Sequence, residues 1–219
     1  MRKTDVSLEP QQERSRESLR KLLKAATEVL GQRGVEGTTV PRIAQHAGLT
    51  PGAIYRRFRD KDALLKAAIL GILERQDERL KAGLTPAKAA KIPLDVFAEQ
   101  IVGGLVVTYR ANAALLRALR QFTQTRADQE FVRKAGKLEI RAFERVVDLV
   151  LAHRKDIRHP NPRVAVSLGM VMVVSTLMEV IVLPSRPREW KDLVPKDDQA
   201  LKRELTRAFL SYLEVGVSE

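Results

Sequence analysis

The residues best equipped to engage a polyanion sit together between Thr39 and Lys61. Arg56 and Arg57 carry two guanidinium forks, Tyr55 an aromatic ring with a hydroxyl, and Ala53 a bare methyl. Thr50-Pro51 stands just before them, and Thr38-Thr39 with Pro41 stands before the preceding segment. A threonine side chain caps the free amides of a first helical turn. Proline is tolerated in that turn, because its missing N–H would have no helical acceptor. The pattern therefore predicts two short helices, each opened by a cap. Between them, Ala44 offers a small residue for a close crossing and Gly48 a turn residue to which positive φ costs nothing. Ile43, Ala47, Leu49, Ile54 and Phe58 are spaced to bury the joint, which leaves Ala53, Tyr55, Arg56 and Arg57 on the opposite face. A short basic face with one aromatic suits the major groove of duplex DNA. A plain helical hairpin with a solvated basic face would explain the alanine-to-glycine spacing alone. Two caps, the apolar spacing and the basic face together favour DNA binding.

Other chemistries find little support. The chain has no cysteine, so disulfides, thiolate metal sites and cysteine catalysis are excluded, as suits a reducing cytoplasm. His46, His153 and His159 lack metal-ligand spacing, and no serine–histidine–acid grouping or glycine-rich phosphate loop stands out. No enzyme, metal or cofactor is expected. Met1 to Gln12 is polar, without the apolar run of a signal peptide. The longest uncharged stretch, Val164 to Met178, has 15 residues, against the roughly 20 that a bilayer span requires. A soluble, cytoplasmic protein with no membrane partner is expected. The net charge of +12 raises the prospect of a nucleic-acid partner without locating it. Residues 1–62 hold 13 Lys+Arg against 8 Asp+Glu, a net of +5, so +7 lies further on.

The elements that must carry the candidate site are all helical. Leu19, Leu22, Leu23, Ala26, Val29 and Leu30 repeat at helical intervals, and Gly31 with Gly34 reads as a stop. Asp60 caps a fourth helix that runs to about Leu80, and Lys81 to Pro93 reads as a connection. Further helices are predicted at about 93–110, 112–124, 127–154, 162–183 and 197–215, with breaks at Pro160, Pro162, Pro184 and Pro187. The expected fold is all-α: a three-helix DNA-binding domain over 14–62, after a disordered tail at 1–13, and a larger helical domain over 63–219 for ligand sensing and dimerisation.

Three runs carry a specific resemblance: Gly34-Val-Glu-Gly-Thr-Thr-Val-Pro-Arg-Ile-Ala, Ala47-Gly-Leu-Thr-Pro-Gly-Ala-Ile-Tyr-Arg-Arg-Phe and Asp60-Lys-Asp-Ala-Leu-Leu. In these the sequence resembles the TetR family of repressors over about residues 14–70. The rest agrees in length, helix number and helix order. The resemblance implies a homodimer made by the last two helices, and a small ligand in the second domain that releases DNA. Position by position, Tyr55 is similar to the family's phosphate-contacting tyrosine and Lys61 to the lysine that holds the backbone. Thr39, Thr50 and Gly52 match positions near phosphates. Ala53, Arg56 and Arg57 occupy the variable base-reading positions, where arginine suits guanine and alanine a thymine methyl. Arg42 completes the DNA-binding set. Pro41 and Pro51 depart from the pattern and remove possible donors.

Beyond the match, the apolar face of 162–183 and that of the last helix are expected to form a dimer interface that includes Val171, Met178, Leu205 and Phe209. Glu99, Tyr109, Phe122, Phe143 and Met172 are candidate effector-binding residues, and Trp190 could join them. Glu99 has pairing with an arginine as its alternative, and Gly103-Gly104 either allows close packing or leaves room for a ligand. The expected partners are double-stranded operator DNA, a second copy of the chain and a small-molecule effector. An architectural DNA binder of the same fold, with a protein partner, is the alternative.

Overall fold

Three helix starts follow the caps written in the sequence. In the computed structural model, which describes residues 8–183, 192–195 and 197–215, Thr39, Thr50 and Asp60 each accept a hydrogen bond from the amide three residues on. They open α2 (Val40–Ala47), α3 (Pro51–Tyr55) and α4 (Lys61–Ala82). Ahead of them, α1 (Leu8–Gly37) bends at Gly34, whose φ of 67° is easily reached only without a side chain. The helix thus passes Gly31 and breaks at Gly34. The first residues of the expected tail, 1–7, lie outside the described residues, and Leu8 to Glu13 are already helical.

The remaining elements are α5 (Pro86–Ala89), α6 (Leu94–Thr125), α7 (Gln129–Leu151), α8 (Pro162–Leu177) and α9 (Asp198–Tyr212). All nine are helices, and no strand occurs among the described residues. The single turn α5 interrupts the expected connection. A π-helical turn, Met178–Val182, prolongs α8. Two expected helices, 93–110 and 112–124, are one: Asn112 donates to the Thr108 carbonyl at 2.8 Å, a bond made within the helix, and its alanine neighbours favour helix. The breaks expected at Pro184 and Pro187, and Trp190, lie outside the described residues.

The helices sort into two compact units. The first comprises the described part of Met1–Leu73 with Arg117–Ala135, the tip of the α6–α7 hairpin. Leu22, Leu30, Ile43, Ile54 and Leu64 are fully buried in it, each such side chain contributing about 1.5–3 kcal/mol relative to exposure. Phe122 and Phe131 meet edge to face in the same unit, ring centroids 6.0 Å apart. The second unit, Glu74–Leu116 with the described part of Gly136–Glu219, packs α6, α7, α8 and α9 around Phe97, Val102, Val150, Met170, Leu177 and Phe209. Glycine decides two of its contacts. A Cβ at Gly169 would stand 2.7 Å from the Phe209 ring, and one at Gly103 3.0 Å from the Lys202 stem, whereas Gly104 faces open space. Of the Gly103-Gly104 pair, Gly103 therefore serves close packing.

Candidate nucleic-acid interface

The joint between α2 and α3 is built as its residue types require. Thr39 has extended backbone, and its hydroxyl accepts from the Arg42 amide at 3.4 Å. Its neighbour Thr38 is buried and donates to the Gly34 carbonyl at 2.6 Å, so the two threonines divide capping and anchoring between them. Gly48 takes φ 65° and ψ 35°, and the next amide, of Leu49, returns to the Ala44 carbonyl at 2.9 Å. Ala44 is 1% exposed at the crossing, and Ile43 and Ile54 are fully buried beneath it. Thr50 then caps α3 by accepting from the Ala53 amide at 3.2 Å, with Pro51 in the first turn.

This arrangement leaves α3 with a polar outer face. Tyr55 is 55% exposed, and Arg56 and Arg57 are exposed beside it, with Ala53 half-buried. The Arg56 side chain has no hydrogen bond or ion pair among the described residues, while its amide donates to the Gly52 carbonyl at 3.1 Å. Arg57 leans on α1, donating to the Ser18 hydroxyl at 3.3 Å and the Ser15 hydroxyl at 3.5 Å. No atom lies within 4 Å of where a Cβ would sit at Gly52, so the fold itself makes no use of glycine there. Arg42 donates to the Gly37 carbonyl at 2.7 Å, and Lys61 to the Val35 carbonyl at 3.2 Å. The whole predicted set thus gathers around α2, α3 and the start of α4. Asp60, which caps α4, has its carboxyl held below the ordinary range, chiefly by the Ala63 amide and further by Arg59.

Residues 22–68 match the model of the bacterial regulatory proteins of the tetR family. Over these residues the chain is similar to the TetR family. TetR-family members are DNA-binding transcriptional regulators, and this chain shares their helix-turn-helix and larger helical domain. It is 24% identical over 194 residues to the HTH-type transcriptional regulator BetI of Escherichia coli, across 88% of this chain and 91% of that one. A TetR-family transcriptional regulator of Mesorhizobium loti superposes with a TM-score of 0.72 at 18% identity, covering 92% of this chain and 97% of that one. FadR of Bacillus subtilis, in complex with stearoyl-CoA, superposes with a TM-score of 0.57 at 18% identity over 88% and 97%. At these identities the structural likeness concerns the fold.

The effector candidates are less coherent than those for the nucleic-acid interface. Phe122 belongs to the core of the first unit, whereas Glu99, Tyr109, Phe143 and Met172 lie in the second. Met172 is 43% exposed on α8, and Glu99 forms an ion pair with Lys202 at 2.7 Å, a lysine where an arginine was expected. Only Tyr109 and Phe143 pack partly buried against the second core. Burial raises the Tyr109 hydroxyl above its ordinary range, and the charge of Glu139 adds to this. Two surface concavities of about 360 and 280 Å³ flank α2 in the first unit, and neither contains an effector candidate. The dimer candidates divide as well. Val171 is 47% exposed, while Met178 and Leu205 are half-buried against their own core. Phe209 faces inward over Gly169, so its ring is already used within the chain.

Sequence reasoning missed a group of charges in the first unit. Arg126, in the turn between α6 and α7, pairs with Glu36 at 3.1 Å and with Asp62 at 3.9 Å. Lys66 of α4 meets Asp128 of the same turn at 2.5 Å. The one local signal was Asp128 three residues before Phe131, whose amide it caps at 2.8 Å.

Proposed function

We propose that the chain is a homodimeric repressor that binds a pseudo-palindromic operator in the cytoplasm and is released from it by a small molecule. The observation that carries the DNA-binding part is the outer face of α3, where Tyr55, Arg56 and Arg57 stand exposed on a capped, tightly crossed helix pair. In this reading Ala53, Arg56 and Arg57 face bases. Tyr55, Lys61, Arg42 and the caps Thr39 and Thr50 approach phosphates, and Gly52 leaves space for the backbone to come close.

Dimerisation is supported by α8. Val164, Leu168, Val171 and Met172 recur at helical spacing and remain 43–52% exposed, an apolar stripe left uncovered by the described residues of one copy. A two-fold dimer also matches operators whose half-sites lie one helical turn apart, about 34–36 Å, or a multiple of it. A small-molecule effector is supported by the stearoyl-CoA complex of the FadR relative, and Tyr109 and Phe143 are the residues kept for it here.

Genomic footprinting of the tagged protein, followed by binding of the recovered sites, tests this reading. A few promoter sites sharing an inverted repeat, each bound by two copies, are expected. Very many sites without a common repeat would replace the repressor reading with an architectural one.

A further inference from the structure

The tip of the α6–α7 hairpin, Arg117–Ala135, lies in the same compact unit as the helix-turn-helix. It is anchored at two points. Asp128 caps α7 through the Phe131 amide, and Phe131 packs edge-on to the buried Phe122. Arg126 is therefore presented from an anchored corner. Its guanidinium reaches two carboxylates, Glu36 beyond the Gly34 bend and Asp62 in the first turn of α4. A third pair, Lys66 with Asp128, crosses in the opposite sense.

The two carboxylates flank Lys61 and its anchor. Asp62 follows Lys61 in the chain, and Glu36 follows Val35, whose carbonyl takes the Lys61 ammonium. The next carbonyl but one, of Gly37, holds Arg42, and Thr39 opens α2 two residues later. One oxygen of Asp62 is buried without a hydrogen-bond partner, and the other faces the Arg126 guanidinium, which fixes this carboxylate. Without the guanidinium, two negative charges would stand uncompensated in the residues next to Lys61 and Val35, lowering the local positive potential that attracts a phosphate.

We infer that Arg126 is a positioning residue for DNA binding, which neutralises Glu36 and Asp62 and holds the Val35–Gly37 turn so that Lys61 is delivered to a phosphate. The inference rests on the reading of Lys61 as a phosphate contact. Arg126 does not itself touch DNA.

The test measures operator affinity against salt concentration for Arg126→Met, Lys61→Ala and the double variant, in the full chain. Each phosphate contact contributes about 0.9 to the slope of log affinity on log salt. Lys61→Ala is expected to lose about one unit, Arg126→Met a similar amount, and the double variant no more than either alone. Glu36→Gln checks the charge argument from an exposed site: combined with Arg126→Met, it removes one of the two carboxylates and restores part of the lost slope. Melting temperatures of the single variants stay near the wild type, because exposed pairs add little stability. A wild-type slope for Arg126→Met beside a reduced slope for Lys61→Ala overturns the inference and leaves the Lys61 reading intact. Additive losses overturn it too, since Arg126 would then hold a phosphate of its own. An unchanged slope for Lys61→Ala removes the reading on which the inference stands.

Discussion

Val171→Arg separates the proposed dimer from the fold. Val171 is 47% exposed in one copy, with Val164 at 52%, Leu168 at 45% and Met172 at 43% along the same face. Fully burying a side chain of this kind yields about 1.5–3 kcal/mol, so covering the half that remains exposed yields roughly 0.7–1.5 kcal/mol. Four such residues on each of two copies give about 6–12 kcal/mol, against an association cost of roughly 4–15 kcal/mol. In the proposed dimer the stripe would thus supply a large share of the binding energy with little surplus. Losing Val171 from both copies removes about 1.5–3 kcal/mol, or roughly 10- to 100-fold in the dissociation constant. Two arginines brought together in an apolar contact weaken it further.

Sedimentation or light scattering at micromolar concentration reads the outcome directly. Val171→Arg should be a folded monomer with wild-type helix content and much weaker operator binding, since each half-site is then bound independently. Phe209→Ala supplies the contrast: the ring is 2% exposed and packed within one copy, so its loss should cost about 3–5 kcal/mol of folding stability. A Val171→Arg protein that remains a dimer with the wild-type dissociation constant would refute the assignment of this face.

Three further outcomes follow from the same structure. Arg56→Ala should cost about 1–3 kcal/mol of operator affinity and relax preference at one base pair, measured by competition among operator variants, and Arg57→Ala should do the same. Wild-type affinity and preference in both would show that α3 presents the wrong face. Asp60→Ala should cost about 1 kcal/mol of stability through the lost cap. Because the folded pKa of Asp60 lies below its ordinary 3.8, that difference should be full above pH 3.8 and shrink as pH falls through the folded value, as acid denaturation of the two proteins would reveal. Gly169→Ala should destabilise by about 1–3 kcal/mol in thermal melting, because its methyl would sit 2.7 Å from the buried Phe209 ring, which would have to shift.

What could be read from the sequence was local. Thr39, Thr50 and Asp60 each cap an amide three residues away, and Gly48 supplies a single positive φ, so a few consecutive residues contain the whole argument. Helix periodicity also located the buried Ile43 and Ile54. The errors arose where the deciding neighbour was distant. Phe209 belongs to an apolar face, yet only the meeting of α8 with α9 at Gly169 turns it inward. Phe122 looked like a pocket aromatic until Phe131, across the hairpin, gave it a partner. Arg126 lies 90 residues from Glu36, and no spacing rule joins them.

The same limit explains how α8 should be read. With its π turn it runs from Pro162 to Val182, 21 residues, and is long and apolar enough to cross a bilayer by length and composition. The shorter count of 15 residues stops at Glu179, a charge that the helix carries near its end. Composition is therefore the same for a membrane span, a core helix and a helix shared by two copies. What distinguishes them is how the apolar surface is divided. Ala165, Val166, Gly169, Met170, Val173 and Leu177 are buried in the second unit, and 39% of the helix window is buried. A span packed against nothing would have no such inner face, and a helix central to one copy would have no exposed one. The outer stripe comprises four residues, and at its end, on the same face, Ser175 is exposed and polar. A narrow seam bordered by a polar residue fits a protein partner better than a lipid environment, which would have to be met by apolar side chains all round. In the proposed dimer, a second copy offering the same stripe about a two-fold axis would be that partner.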